Sequence, residues 1–380
     1  MSINSTCRML VISGFVLLSA SCRKHSDNAN GNGGTPPPPA PGPDVYVLGI
    51  EGDTTKYWKN GVPVNLTNIS SGVYFNSIFG SGSNLYFSVN VNSKNLATID
   101  TAKYWKNGVF FTLPDTTGSA YTSAIFVSGG DVYVAGVQNG KNVSHYATYW
   151  KNGVSVGLPG GGINQGASYP TYYSDYTSSI VVSGNDVYVA GGSHISLQGH
   201  DSTYRFAMYW KNGVPVSLVK GMLDFSSDSS TLISYPTTTG IAVSGNDVYV
   251  AGQEWNGKIA NTEAVYWKNG VVTWLTDRNI FEGSSATSIA VSGNDVFVAG
   301  YKDVNGVDYA TCWKNGVATL LTNGTGGSGA NSIAVSGSDV YVAGYENING
   351  YSVARYWKNG VAANLSDGRS RANANAIYVQ

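Results

Sequence analysis

From Asp44 onward the chain repeats short apolar runs in which hydrophobic and polar residues alternate, each run closed by glycine or asparagine. SIVVSGNDVYVAG (Ser179 to Gly191), GIAVSGNDVYVAG (Gly240 to Gly252), SIAVSGNDVFVAG (Ser288 to Gly300) and SIAVSGSDVYVAG (Ser332 to Gly344) are close copies. Weaker copies begin at Ser77 and Ser123. A second motif alternates with the first: Trp-Lys-Asn-Gly occurs at Trp58, Trp105, Trp150, Trp210, Trp267, Trp313 and Trp357, at intervals of 44 to 60 residues. Alternation with period two marks β-strands.

Each unit therefore holds four strands: SIAV, DVYVA, the run ending in YWK, and a short V-x-x-x-L. Gly-Asn, Gly-Ser or Gly-Gly joins the first pair and Asn-Gly the second. These residues accept positive φ, which two-residue type I′ hairpins require. Four antiparallel strands in about 45 residues describe one blade of a β-propeller. The chain ends in NANAIYVQ, a first strand without successors, and the domain opens on DVYVLG (Asp44 to Gly49), a second strand without a predecessor. Joining the two gives seven whole blades. The expected fold is all-β: a seven-bladed propeller over 44–380, with the C-terminal strand completing the N-terminal blade.

Tyr and Trp are adjacent in six of the seven units, so they point to opposite faces of a blade and both rings should be buried between blades. Burying such a ring removes roughly 150–250 Å² from water, about 4–6 kcal/mol before entropy. The aspartate opening each second strand, as in Asp186, lies at the same edge as the lysine of Trp-Lys-Asn-Gly, as in Lys211. The expectation is a structural ring of turn-capping aspartates and partly paired lysines, set against the alternative of a seven-fold ligand site.

Segments 1–21 and 22–43 stand outside this pattern. Arg8 precedes an apolar run from Met9 to Ala20, too short to span a bilayer and suited to the core of a secretory signal. Residues 23–43 are Gly/Asn- and then Pro-rich, a tether without packing potential. LLSASC, ending at Cys22, resembles the lipobox of bacterial lipoproteins, which implies cleavage before Cys22 and a lipid on that cysteine. An ordinary signal followed by a chance cysteine is the alternative.

Composition adds exclusions. The chain has 22 Lys+Arg against 23 Asp+Glu, a net charge of −1, and no basic stripe, so a nucleic-acid surface is not expected. Of three cysteines, Cys7 lies in the signal, Cys22 is the lipid candidate, and Cys312 replaces the tyrosine of its unit, which leaves no disulfide framework. No cofactor or metal motif is present.

Regular turns should crowd one face of the ring, leaving the other for loops, where propellers carry function. Extra length concentrates around blade four, in 158–179, 191–206 and 219–236. The candidate ligand-binding residues there are Tyr169, Tyr172, Tyr173, Tyr176, His194, His200, Tyr204, Arg205 and Tyr235. Tyrosines among Ser, Gly and Asn suit sugar stacking or protein contact, and also suit simple loop packing. His194 and His200 match no zinc spacing. Sialidase-type Asp boxes, Walker loops, HExxH and G-x-S-x-G are absent, and no pair of loop acids stands out.

The alternation of YWKNGV with SIAVSGNDVYVAG over 44–380 resembles a group of repeat-containing lipoproteins of Bacteroidota, and more loosely kelch-type propellers. The resemblance implies an exported, membrane-tethered monomer in the cell envelope, at the outer membrane, facing the periplasm or the surface. It supplies no catalytic residues. The function expected is a binding module for a glycan or protein; a polysaccharide-acting hydrolase or lyase at the channel mouth is the alternative.

Overall fold

The structure is a computed structural model and describes residues 42–66, 72–91, 101–115, 118–139, 145–160, 171–197, 203–218, 236–256, 261–277 and 282–380. The expected signal, Cys22 and all but the last two residues of the expected tether lie outside these residues. Residues from Pro43 to Gln380 form one compact unit.

Its strands run from β1 (Val45–Glu51) to β28 (Ala372–Val379) and bond into seven four-stranded antiparallel sheets. Six sheets are sequential meanders. The seventh takes β28 as first strand, paired with β1, followed by β2 (Thr54–Lys59) and β3 (Val62–Asn65). The other first strands are β4 (Val73–Ser81), β8 (Ala120–Ser128), β12 (Thr171–Ser183), β16 (Thr237–Ser244), β20 (Ser284–Ser292) and β24 (Ser328–Ser336). Each touches the first strand of the next blade, and β28 touches both β24 and β4, so the ring closes. The molecule is a seven-bladed β-propeller whose C-terminal strand completes blade one.

The turns divide by type. In Trp-Lys-Asn-Gly both central residues have positive φ, for example Asn212 at 51° and Gly213 at 82°, as a type I′ hairpin demands. The turns between first and second strands differ from expectation. In Gly184-Asn185 only the glycine is positive, at 60°, the signature of type II′. Gly129-Gly130 in blade three is positive at both positions.

Seven hydrophobic clusters fill the seven inter-blade interfaces. Each takes the tryptophan of one blade and the preceding blade's tyrosine: Trp210 with Tyr149, then Trp267 with Tyr209. Cys312 takes the tyrosine place opposite Trp357. The Tyr-Trp pair thus fastens its blade to both neighbours. The tryptophans are buried throughout. The tyrosines are covered less than expected: Tyr149 and Tyr209 are buried, whereas Tyr57, Tyr104, Tyr266 and Tyr356 are half-buried. The indole reaches inward across the second strand, close enough that a β-carbon on Gly136 would lie 2.9 Å from Trp150 Cζ3. The tyrosine ring has the outer part of the blade for company, as in the parallel stack of Tyr104 on Phe111, 4.8 Å apart.

Every first strand carries a β-bulge. The extra residues are Asn76, Ser123, Ser178, Thr239, Thr287, Asn331 and Asn375, all small and polar. Six of them reach the next blade. Asn76 Nδ2 donates to the Thr122 carbonyl at 2.9 Å. Thr239, Thr287 and Asn331 likewise donate to the carbonyls of Ala286, Ala330 and Ala374 at 2.9, 2.7 and 2.8 Å. The hydroxyls of Ser123 and Ser178 meet those of Thr177 and Thr238 at 2.8 and 3.0 Å. A bulge leaves backbone groups outside the ladder, and these side chains tie that irregular stretch to the adjoining sheet.

Candidate functional site

The face bearing the Trp-Lys-Asn-Gly turns is a repeated structural device. Asp186 Oδ2 lies 2.8 Å from Lys211 Nζ. Asn212 donates through Nδ2 to Asp186 Oδ1 at 2.7 Å and accepts the Val187 N–H on Oδ1 at 2.8 Å. Lys211 also sits 5.4 Å above the Tyr188 ring. Asp44, Asp131, Asp247, Asp295 and Asp339 repeat the same ion pair with Lys59, Lys151, Lys268, Lys314 and Lys358 at 2.7 to 2.9 Å. Blade two keeps the asparagine bonds but has Asn84 in place of the aspartate. Lysine and asparagine hold these aspartate carboxyls below the ordinary range, and the ion pairs raise the lysines Lys59, Lys151, Lys211, Lys268 and Lys358. With lysine, asparagine and aspartate matched within six of the blades, the regular face serves its own turns.

The opposite face is irregular, and blade four departs furthest. Strand β12 has 13 residues where the other first strands have at most 9, and β13 (Asp186–Leu197) has 12. Their pairing runs on past the level of Gly191 to Thr171↔Leu197, and β14 (Thr203–Lys211) follows as far as Ser196↔Thr203. Much of what reads as loop in the sequence is therefore strand. Tyr172 and Tyr173 lie on β12, opposite Ser196 and Ile195, and Tyr204 lies on β14, also opposite Ile195. Tyr173, Ile195 and Tyr204 thus stand in one cross-strand row. Tyr169, His200 and Tyr235 lie outside the described residues, as does most of 219–236.

Three of the expected residues come together below that row. The rings of Tyr176 and His194 are 5.3 Å apart, and His194 is opposite Arg205 in the ladder. Tyr176 is committed to packing: its hydroxyl accepts the Thr238 N–H of blade five at 3.1 Å. Gly192 makes room for it, since a β-carbon there would lie 2.7 Å from Tyr176 Cε1. Burial pushes the Tyr176 phenol up. Burial, aided by the charge of Arg205, pushes the His194 imidazole down, and its Nε2 has no hydrogen-bond partner. His194 is accordingly a neutral, half-buried ring, and Arg205 is the exposed member of the three.

Sequence reasoning passed over Asp175, on the other side of β12. It is buried, accepts a 2.5 Å bond from the Ser193 hydroxyl, and takes the His145 carbonyl with its own N–H at 3.0 Å. Burial pushes its carboxyl up, opposed by Ser193 and the Ala147 backbone. His145 Nδ1 lies 3.2 Å from Ser174 Oγ, joining blades three and four. An acid inside an otherwise serine- and tyrosine-rich run gives no periodic signal, which is why only the fold reveals it. Among the described residues no group of three or more His, Cys, Asp and Glu is placed to hold a metal ion.

Neither a family model nor a curated protein matches this sequence. Some solved structures are similar to this chain at low identity. One is a Mycobacterium tuberculosis puromycin-hydrolysing peptidase, 10% identical over 79% of this chain with a TM-score of 0.38; the chain spans about half, 55%, of that protein. A thermostable family-43 glycoside hydrolase is 9% identical over 69% of this chain and 97% of its own, at 0.36. The β-propeller domain of the Trilobed protease from Pyrococcus furiosus, described as having an open velcro topology, is 9% identical over 80% of this chain and 98% of its own, at 0.36. None of the three informs the chemistry of this chain.

Proposed function

We propose that this propeller is a binding module, exported and held at the cell envelope by a lipid on Cys22, that engages a glycan or protein through the extended end of blade four. The observation that carries the reading is the length of β12, 13 residues against 9 or fewer in the other first strands. A first strand prolonged, among the described residues, on blade four adds nothing to ring closure, which the shorter blades achieve. It does raise Tyr172, Tyr173 and Tyr204 on ordered backbone, and binding groups held by strands keep their geometry better than groups on loops. Tyrosine supplies rigid apolar area with a hydroxyl at its tip, a combination suited to sugar rings and to protein surfaces. The sequence features at Met9 to Cys22 and the Pro-rich tether support the envelope location.

The test is a glycan array and a pull-down with the full chain, repeated with Tyr172→Ala/Tyr173→Ala. A partner retained by the wild type and lost by the double variant supports the proposal. Turnover of a polysaccharide without any retained partner overturns it in favour of a hydrolase or lyase. Cys22→Ser should abolish incorporation of labelled palmitate in the producing bacterium; labelling that persists overturns the anchor.

A further inference from the structure

A second feature of the irregular face lies well away from blade four, at the seam where the ring closes. Strands β25 (Asp339–Ile348) and β26 (Tyr351–Lys358) of blade seven end in an Asn349-Gly350 hairpin with φ of 52° and 85°. Between that hairpin and the start of β28 opens a cleft of about 360 Å³, lined by Tyr345, Asn347, Tyr351, Ser352, Arg371 and Asn373, together with Gly350. That volume falls at the small end of ligand sites.

The lining's backbone and its two carboxamide-bearing strands are held in place. The Asn347 N–H donates to the Gly327 carbonyl at 2.9 Å, and Ser352 Oγ donates to the Ala372 carbonyl at 3.0 Å. Asn373 Oδ1 receives Asn331 Nδ2 at 2.7 Å, which leaves the Asn373 amide N–H pair for the cleft. Tyr345 lies against Gly329, where a β-carbon would come 3.0 Å from its Cε1. The Arg371 carbonyl is anchored by the Gly52 N–H at 2.8 Å, while its side chain is exposed and forms no ion pair among the described residues. Neighbouring charges are otherwise engaged: Glu346 is buried against Arg355, and Arg369 faces Asp367. Asp308 of blade six is close enough to act on Tyr345 but does not line the cleft.

The chemistry is one-sided. One guanidinium and two carboxamides stand in the lining, with no carboxylate, and Tyr351 adds a ring that is 50% exposed. A guanidinium fork matches a planar carboxylate in two parallel bonds, carboxamides donate to hydroxyls, and an exposed ring stacks on the apolar face of a sugar.

We infer that the seam cleft between blades seven and one is a binding site for a carboxylated sugar, a uronic-acid residue of a glycan, with Arg371 taking the carboxylate and Tyr351 the ring. The inference concerns a different place from blade four, so its failure leaves the blade-four proposal standing.

Titration calorimetry of the full chain at pH 7 with trigalacturonate and with its methyl ester tests it. The acid should bind about tenfold or more tightly than the ester, because only the acid offers charge-assisted bonds to Arg371. Arg371→Gln should erase that preference. The variant keeps the fold because the Gly52 bond uses the backbone carbonyl, and an unchanged melting temperature verifies this. Arg369→Gln, the same charge change at a side chain 89% exposed outside the cleft, should keep the preference. Tyr351→Ala should weaken acid and ester alike. The inference is overturned by the absence of saturable binding, by equal affinity for acid and ester, or by a preference that survives Arg371→Gln. Tighter binding of a peptide carboxylate than of the uronate likewise overturns the sugar assignment.

Discussion

The carbonyl oxygen of Tyr121 stands 2.0 Å from the point that a β-carbon on Gly136 would occupy. The bulge at Ser123 turns that carbonyl in towards β9 (Asp131–Gln138), leaving room for a hydrogen atom and nothing larger. The contact recurs between Gly191 and Tyr176, Gly252 and Thr237, Gly300 and Ser285, and Gly344 and Gly329, at 1.9 to 2.1 Å. Gly136→Ala therefore forces backbone apart beside Trp150. We expect it to destabilise the fold by about 1–3 kcal/mol, as overpacking does. Denaturant unfolding measures this, and a loss below about half a kcal/mol contradicts the steric account.

Blade two shows what happens without that glycine. Val89 stands in its place, fully buried, and Trp105 is the most exposed of the seven Trp-Lys-Asn-Gly tryptophans, at 8%. The preceding position holds Ser88 where five blades have alanine, and its hydroxyl is fully buried without a hydrogen-bond partner. Ser88→Ala removes an unsatisfied polar atom and keeps the backbone. It should stabilise by roughly 1 kcal/mol, since an orphaned buried hydroxyl carries its desolvation cost uncompensated. A fall in melting temperature instead would mean that Ser88 has a bonding partner in solution.

The ring and its closure could be read from the chain because they rest on local rules. Asn-Gly at seven turns fixes seven hairpins through φ alone, and the unpaired runs at Asp44 and Asn373 name each other as partners. The bulges were not legible, since one polar residue such as Ser123 inside an apolar strand looks like ordinary alternation. Only the ladder shows that it is an insertion and explains the glycine opposite. The prolonged β12 read as loop because Thr171 to Thr177 has no hydrophobic period; its pairing with β13 decides its conformation. The seam cleft joins Tyr345 of blade seven to Arg371 and Asn373 at the first strand of blade one, and no spacing along the chain announces that contact.

Cys312 should be a slow thiol. It occupies the tyrosine position against the cluster around Trp357, and burial pushes its pKa up to about 11. At pH 8 the thiolate that reacts with alkylating agents is therefore scarce, and the half-buried sulfur is hard to reach. Iodoacetamide labelling followed by mass spectrometry should show Cys312 modified at least about tenfold faster in denaturant than in the native protein. Equal rates would show that this part of the interface between blades six and seven is open.

Acid should loosen the regular face. In Asp44, Asp131, Asp186, Asp247, Asp295 and Asp339 the folded carboxyl lies below its ordinary value of 3.8, through bonds to lysine and asparagine. A lowered folded pKa stabilises the fold above the unfolded pKa, and that contribution disappears as pH falls from about 4 through the folded values. Buried Asp175 has the opposite sign: its raised carboxyl favours the fold below the unfolded pKa and loses that contribution as pH rises through the folded value. With six lowered aspartates against two raised ones, Asp175 and Asp308, melting temperature should fall between pH 4 and pH 2. Asp186→Asn should cut that fall by a part and leave the rest, because the other five pairs lie on other blades. A melting temperature that stays level across this range would show that solvent screens these exposed pairs completely.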